Sequence, residues 1–108
     1  MKSSIVHDER GARIVIDGIE YEPIAFRSFR PEVRNVREFA DAGVRLMSVL
    51  ATGLDCTLFV PYSTYGEIWL GPGTYDFGPL DRQMELFLSK APNAYFNLML
   101  QLDTRKWY

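Results

Sequence analysis

Apolar and polar residues follow two rhythms along this chain, and each change of rhythm marks an element. Ile14-Val15-Ile16 is a β-branched run, Asp17-Gly18 follows, and Ile19-Glu20-Tyr21 resumes the strand character. Asp-Gly between two such runs predicts a type I′ hairpin, because both central residues need positive φ. Gly11, after Asp8-Glu9-Arg10, predicts an earlier turn that feeds a preceding strand into this hairpin. Ile24–Ser28 reads as a further strand.

The rhythm then lengthens. Pro31 suits the first turn of a helix. Val33, Val36, Phe39 and Ala40 recur at three- and four-residue steps among charged residues, which predicts an amphipathic helix ended by Gly43. Arg45–Leu50 is a mostly apolar strand. From Ala51 to about Gly78 no period holds, yet the stretch is rich in aromatics, which argues for order in a long loop. A second helix starts near Pro79 with the stripe Leu80, Met84, Phe87 and Leu88, and Pro92 stops it. Ala94–Leu102 alternates as a strand. Phe96, Leu98, Leu100 and Leu102 share an apolar face, and Tyr95, Asn97, Met99, Gln101 and Asp103 share a mixed one.

Strand, helix, strand, helix, strand in that order predicts a parallel sheet with right-handed crossovers. The apolar face of the last strand suits helices, and the mixed face suits a barrel lumen. Residues 1–22 are expected to form the hairpin segment, and residues 23–108 the first βα units.

Composition narrows the function. The 108 residues carry a net charge of −2 without a dense basic run, which argues against nucleic-acid binding and against an electrostatic membrane contact. One cysteine, Cys56, forms no internal disulfide and no Cys-rich metal site, and is expected to be a partly buried thiol. His7 is the only histidine, and its setting among Asp8, Glu9, Arg10 and Gly11 predicts exposure. No Walker loop, Cys-x-x-Cys or nucleophile elbow occurs. No membrane-length apolar stretch and no signal-peptide pattern is present, so the expected compartment is the cytoplasm.

One stretch is more specific. Trp69-Leu70-Gly71-Pro72-Gly73-Thr74-Tyr75-Asp76-Phe77-Gly78-Pro79-Leu80-Asp81-Arg82 resembles the β-galactosidase-like glycoside hydrolases of clan A, especially family 42. Gly73, Tyr75, Asp76, Phe77, Leu80, Asp81 and Arg82 match that family's G-x-Y-D-F-x-x-L-D-R run. Leu102-Asp103-Thr104-Arg105-Lys106-Trp107 is similar to its T-P-x-W exit from the third strand, and Asp41-Ala42-Gly43-Val44 to the end of its first helix. Leu70-Gly71-Pro72 stands where the family has a Glu-Pro pair, and Ser48 and Arg105 replace a family arginine and proline.

The resemblance implies an α/β fold, a partial (β/α)₈ TIM barrel of about three strands and two helices behind an N-terminal β-hairpin. Such barrels take ~250 residues, so the expectation is the front part of one. The resemblance also implies retaining hydrolysis by two carboxyl groups ~5–5.5 Å apart. No residue here matches either family glutamate, so no catalytic residue is assigned.

The expected substrate contacts are Arg27, Trp69, Asp103 and Trp107, because aromatic faces stack on sugar rings while Arg and carboxylates bind hydroxyls. Asp76 and Asp81 are expected to support the helix start. No cofactor and no metal are called for. The expected partners are a carbohydrate and whatever completes the sheet, the remainder of a barrel or an oligomer partner. The alternative reading is a non-enzymatic α/β module that binds carbohydrate or protein and is completed by a partner.

Overall fold

The computed structural model describes residues 1–102. Its first unit is an antiparallel meander of β1 (Ser3–Asp8), β2 (Gly11–Ile16) and β3 (Ile19–Tyr21). Asp17 and Gly18 take φ of 49° and 85°, the pair of positive values that a type I′ turn demands. Arg13 staples the meander. It is buried, donating from Nε to Glu20 Oε2 at 2.9 Å and from its η nitrogens to the Asp8 carboxylate. Both expected turns are present, and the earlier strand is β1.

The Asp8 carboxyl is held down to about 2 from its ordinary 3.8, first by the Arg13 hydrogen bond and then by the Arg10 backbone N–H. A carboxyl lowered by folding adds stability above its unfolded value and loses it as pH falls through the folded one. Thermal melting should therefore show a loss of stability between about pH 4 and about pH 2. Asp8→Asn should remove that step; an acid profile unchanged by the substitution would count against the staple.

The second unit is a parallel sheet in the order β4 (Ala25–Phe26), β5 (Leu46–Leu50) and β8 (Tyr95–Met99). Helix α1 (Val33–Asp41) links β4 to β5, and α2 (Gly78–Lys90) precedes β8. Helix α1 ends in a Schellman arrangement: Val44 N–H donates to Phe39 O and Gly43 N–H to Ala40 O, with Gly43 at φ 91°.

Both helices contribute to one core of Phe26, Val36, Ala40, Met47, Val49, Phe87 and Ala91. Phe26, Met47 and Phe96 are level neighbours across the three strands, so one sheet face carries this core. The Phe87 ring lies 6.0 Å from that of Phe26 and 6.1 Å from that of Phe96. The meander meets the sheet through Tyr21 and Tyr95, whose rings are 5.5 Å apart. A hydrogen bond to Tyr21 pushes the Tyr95 hydroxyl above its ordinary value.

Among the described residues the expected barrel is not present. The strands form a three-stranded antiparallel sheet, a three-stranded parallel sheet and a two-stranded ribbon of β6 (Trp69–Gly71) with β7 (Thr74–Tyr75), none of them a barrel. Three parallel strands, one only two residues long, leave the sheet open at both edges among the described residues. The architecture is mixed α/β.

Other details also differ from expectation. The strand expected over Ile24–Ser28 shrinks to two paired residues, and the one expected over Ala94–Leu102 is paired only over Tyr95–Met99. The face of Phe96, Leu98, Leu100 and Leu102 is covered by helices only at Phe96; the three leucines are exposed. The second helix buries Gln83 along with Phe87, while Leu88 is exposed.

Candidate functional site

At the carboxyl ends of parallel strands the backbone turns outward, and binding groups in α/β folds gather there. Here that end is dominated by residues 51–77, which leave β5 and return as α2. The excursion is bolted at its base. Thr52, fully buried, donates from Oγ1 to Glu67 Oε2 at 2.7 Å and accepts from Leu54 N–H at 3.1 Å. The other Glu67 oxygen accepts from the N–H groups of Ile68 at 2.9 Å and Trp69 at 3.1 Å. The two arms approach so closely that a Cβ on Gly53 would lie 2.7 Å from the backbone of Gly66 and Glu67. Glu67 is thereby a structural carboxylate that ties the outgoing arm to the returning one.

Gln83 performs a second tie from α2. Its Oε1 accepts from Leu50 N–H at 3.1 Å, and its Nε2 donates to Leu50 O at 3.2 Å and Ser63 Oγ at 3.1 Å. Ala51 N–H points to β8, where it meets Met99 O. The Leu50 groups therefore point to the opposite side, past the end of the short β4. The Gln83 amide supplies the donor and acceptor that a longer β4 would have provided.

Beyond these ties the excursion forms two projections. In the first, Tyr62 N–H donates to Leu54 O and Cys56 N–H to Val60 O, each at 2.8 Å, leaving Leu58 and Phe59 exposed at the tip. Cys56 is half-buried, and its Sγ accepts from Leu58 N–H at 3.4 Å. The second is the β6–β7 ribbon, where Trp69 is level with Tyr75 and Asp76 N–H donates to Ile68 O. Asp76 Oδ1 then accepts from Gly78 N–H at 2.9 Å, and Asp81 lies in the first turn of α2, so both acids support the helix start.

The ribbon, α2 and the run after β8 enclose an open groove of about 280 Å³. Trp69, Tyr75, Phe77 and Leu80 form one wall, with the Tyr75 and Phe77 rings stacked at 14°. Leu98, Leu100 and Leu102 form the other, and Gln101 brings in a side-chain amide. Among the described residues no carboxylate lines it. The groove can hold an apolar or ring-shaped group by contact and stacking, and the described groups that line it supply neither a carboxyl to protonate a leaving oxygen nor one to attack a carbon.

Of the expected contact residues, Trp69 is half-buried in this groove. Arg27 is not among the groove residues; it is exposed, with its guanidinium 5.4 Å from the centre of the Phe29 ring. The structure thus does not bring Arg27 and Trp69 together at the groove. Asp103 and Trp107 lie outside the described residues. Tyr75 and Phe77 were visible in sequence as part of the glycosidase-like stretch, and the leucine row as a period of two. Glu67 and Gln83 had no such mark, because their partners are 15 and 33 residues away.

Among the described residues, no cluster of three or more His, Cys, Asp or Glu could hold a metal ion, and no helix is long and apolar enough to cross a membrane. Comparison with family models, curated proteins and solved structures finds no match to this chain.

Proposed function

We propose that this chain is part of a β-galactosidase-like retaining glycoside hydrolase, contributing a substrate-facing wall and neither of the bond-cleaving glutamates. The observation that supports this reading is the convergence of the glycosidase-like stretch: Trp69, Tyr75, Phe77 and Leu80 all line one groove near the carboxyl ends of the parallel strands. Aromatic faces there suit the C–H faces of a sugar ring or an aryl aglycone. The chemistry of the class needs one carboxyl to protonate the leaving oxygen and another to attack the anomeric carbon, and the reading assigns neither role to this chain. The reading rests on that stretch and not on a barrel. A cytoplasmic compartment belongs to the same proposal, since a chain with one thiol needs no oxidising environment.

Titration of the purified chain with phenyl β-galactoside, phenyl β-glucoside and lactose, followed by calorimetry and by release of phenol, tests the reading. Binding without turnover is expected, weakened at least about tenfold, roughly 1.4 kcal/mol, by Trp69→Ala. No binding of any glycoside would overturn the proposed wall. Phenol release at an enzymatic rate would overturn the assignment of catalysis to residues outside this chain.

A second reading, a non-enzymatic module completed by a partner, is favoured by the exposed row Leu98, Leu100 and Leu102. The adjoining coding sequence separates the two: continuation into an Asn-Glu after a further strand supports the hydrolase.

A further inference from the structure

The ribbon that carries Trp69 belongs to no larger sheet. Strands β6 and β7 pair with each other and, among the described residues, with neither three-stranded sheet. A lone two-stranded ribbon is marginally stable in water. Its place over the groove therefore depends on how its two feet are tied. One foot is held through Asp76, whose N–H donates to Ile68 O and whose Oδ1 accepts from Gly78 N–H at the start of α2. The other foot is held through Glu67.

Glu67 joins the ribbon to the end of β5. One carboxylate oxygen accepts from the N–H groups of Ile68 and Trp69, at 2.9 and 3.1 Å, and so fixes the backbone from which the Trp69 side chain projects. The other accepts from the Thr52 hydroxyl at 2.7 Å. That hydroxyl is fixed in turn, because Thr52 is fully buried and its Oγ1 also accepts from Leu54 N–H. Thr52 directly follows Ala51, which lines the groove together with Ile68 and Trp69. At Gly53 the backbone runs so close to Gly66 and Glu67 that no side chain fits between them.

We propose that Glu67, held by Thr52, is a positioning residue for the groove: it sets the distance between Trp69 and Ala51, and so how closely a ring is gripped. The role rests on the reading of the groove as a substrate wall. Trp69 is level with Tyr75, and the Tyr75 ring is stacked with that of Phe77. A displaced Trp69 therefore carries the rest of its wall with it. A gap of about 0.5–1 Å already forfeits roughly a quarter to a half of a dispersion contact, so a small drift of the ribbon is felt by the ligand. Supporting groups of this kind decide whether a site is tight or loose. Every group in the linkage lies within residues 51–78. Phe87 offers a contrast, since it is fully buried in the core and lines no part of the groove.

Calorimetric titration of the full chain with phenyl β-galactoside, with amide hydrogen exchange at Ile68 and Trp69, tests the role. Thr52→Val keeps the side-chain shape and removes the hydroxyl, and Glu67→Ala removes the carboxylate. Each should weaken binding about two- to tenfold, the worth of one hydrogen bond, and speed exchange at Ile68 and Trp69. Thr52→Ser retains the hydroxyl and should bind and exchange as wild type does. Phe87→Leu should lower the melting temperature and leave the affinity unchanged.

A tie that only stabilises the fold would make Thr52→Val and Glu67→Ala behave like Phe87→Leu, with lower melting temperatures and wild-type affinity. That result would overturn the positioning role and leave the substrate wall standing. An equal loss of affinity in Thr52→Ser or in Phe87→Leu would overturn it as well. A wild-type chain that binds no glycoside would overturn the substrate wall and this role with it. Should neither Thr52→Val nor Glu67→Ala fold, the tie serves the fold and not the ring, and the proposal fails.

Discussion

Gln83→Leu is expected to destabilise the chain by about 3–5 kcal/mol, since each polar group left buried without a partner costs roughly 1–3 kcal/mol. The side chain is 1 % exposed and serves three groups: Leu50 N–H, Leu50 O and Ser63 Oγ. Leucine fills nearly the same volume, so packing changes little and the loss isolates the hydrogen bonds. Ser63 Oγ keeps the Tyr65 N–H at 3.2 Å, so the groups left without a partner are those of Leu50. Urea denaturation checks the magnitude, and amide exchange at Leu50 checks the cause. A stability within about 1 kcal/mol of wild type would show that water or a shifted backbone replaces the amide. Small domains are stable by only about 5–15 kcal/mol, so this single amide carries a large share of the total.

Phe87→Ala should cost a similar amount, about 3–5 kcal/mol, through lost apolar burial and an incompletely collapsed cavity. The ring is fully buried between Phe26 of β4 and Phe96 of β8, two edge-to-face contacts that join the outer strands through α2. Aromatic pairs of this geometry add roughly 0.5–1.5 kcal/mol beyond area. Phe87→Leu keeps most of the volume and should lose about 1–2 kcal/mol. Denaturant midpoints for both variants test the ordering. A Phe87→Leu midpoint equal to that of wild type would mean that the two aromatic contacts contribute nothing beyond apolar volume.

The two substitutions probe different relations between sequence and fold. Phe87 is marked in the sequence by its place in a helical stripe, and its burial follows from that period. Gln83 interrupts the stripe, and its burial follows only from the shortness of β4. A two-residue strand leaves the Leu50 backbone groups facing inward without a ladder partner, and buried backbone groups must be satisfied. A polar residue on the inner side of α2 is the result. That requirement arises once the chain is folded, and no local pattern announces it.

The groove divides in the same way. The aromatic stretch from Trp69 to Phe77 was recognisable as a motif, and the leucines from Leu98 to Leu102 as an alternating row. That these two runs face each other depends on how residues 51–77 return to α2. The return depends on contacts made over long separations: Thr52 with Glu67, Gln83 with Leu50, and the close backbone approach at Gly53. Arg27 shows the converse. Its place after a strand suggested a binding role, but the structure leaves it exposed beside Phe29.

By itself the sequence determined the order of the meander, the two helices and the parallel strands, the Asp17-Gly18 turn, the glycine stop at Gly43 and most of the apolar core, while the β6–β7 ribbon lies in a stretch whose pattern reads as loop. These are local matters, set by backbone preference and by periods of two and of about three and a half residues. Only the tertiary structure decided how many of the described strands share a sheet, that the parallel sheet is open among the described residues, and which polar side chains go inside. Sheet closure and polar satisfaction both depend on partners distant in sequence, where local preference has no bearing.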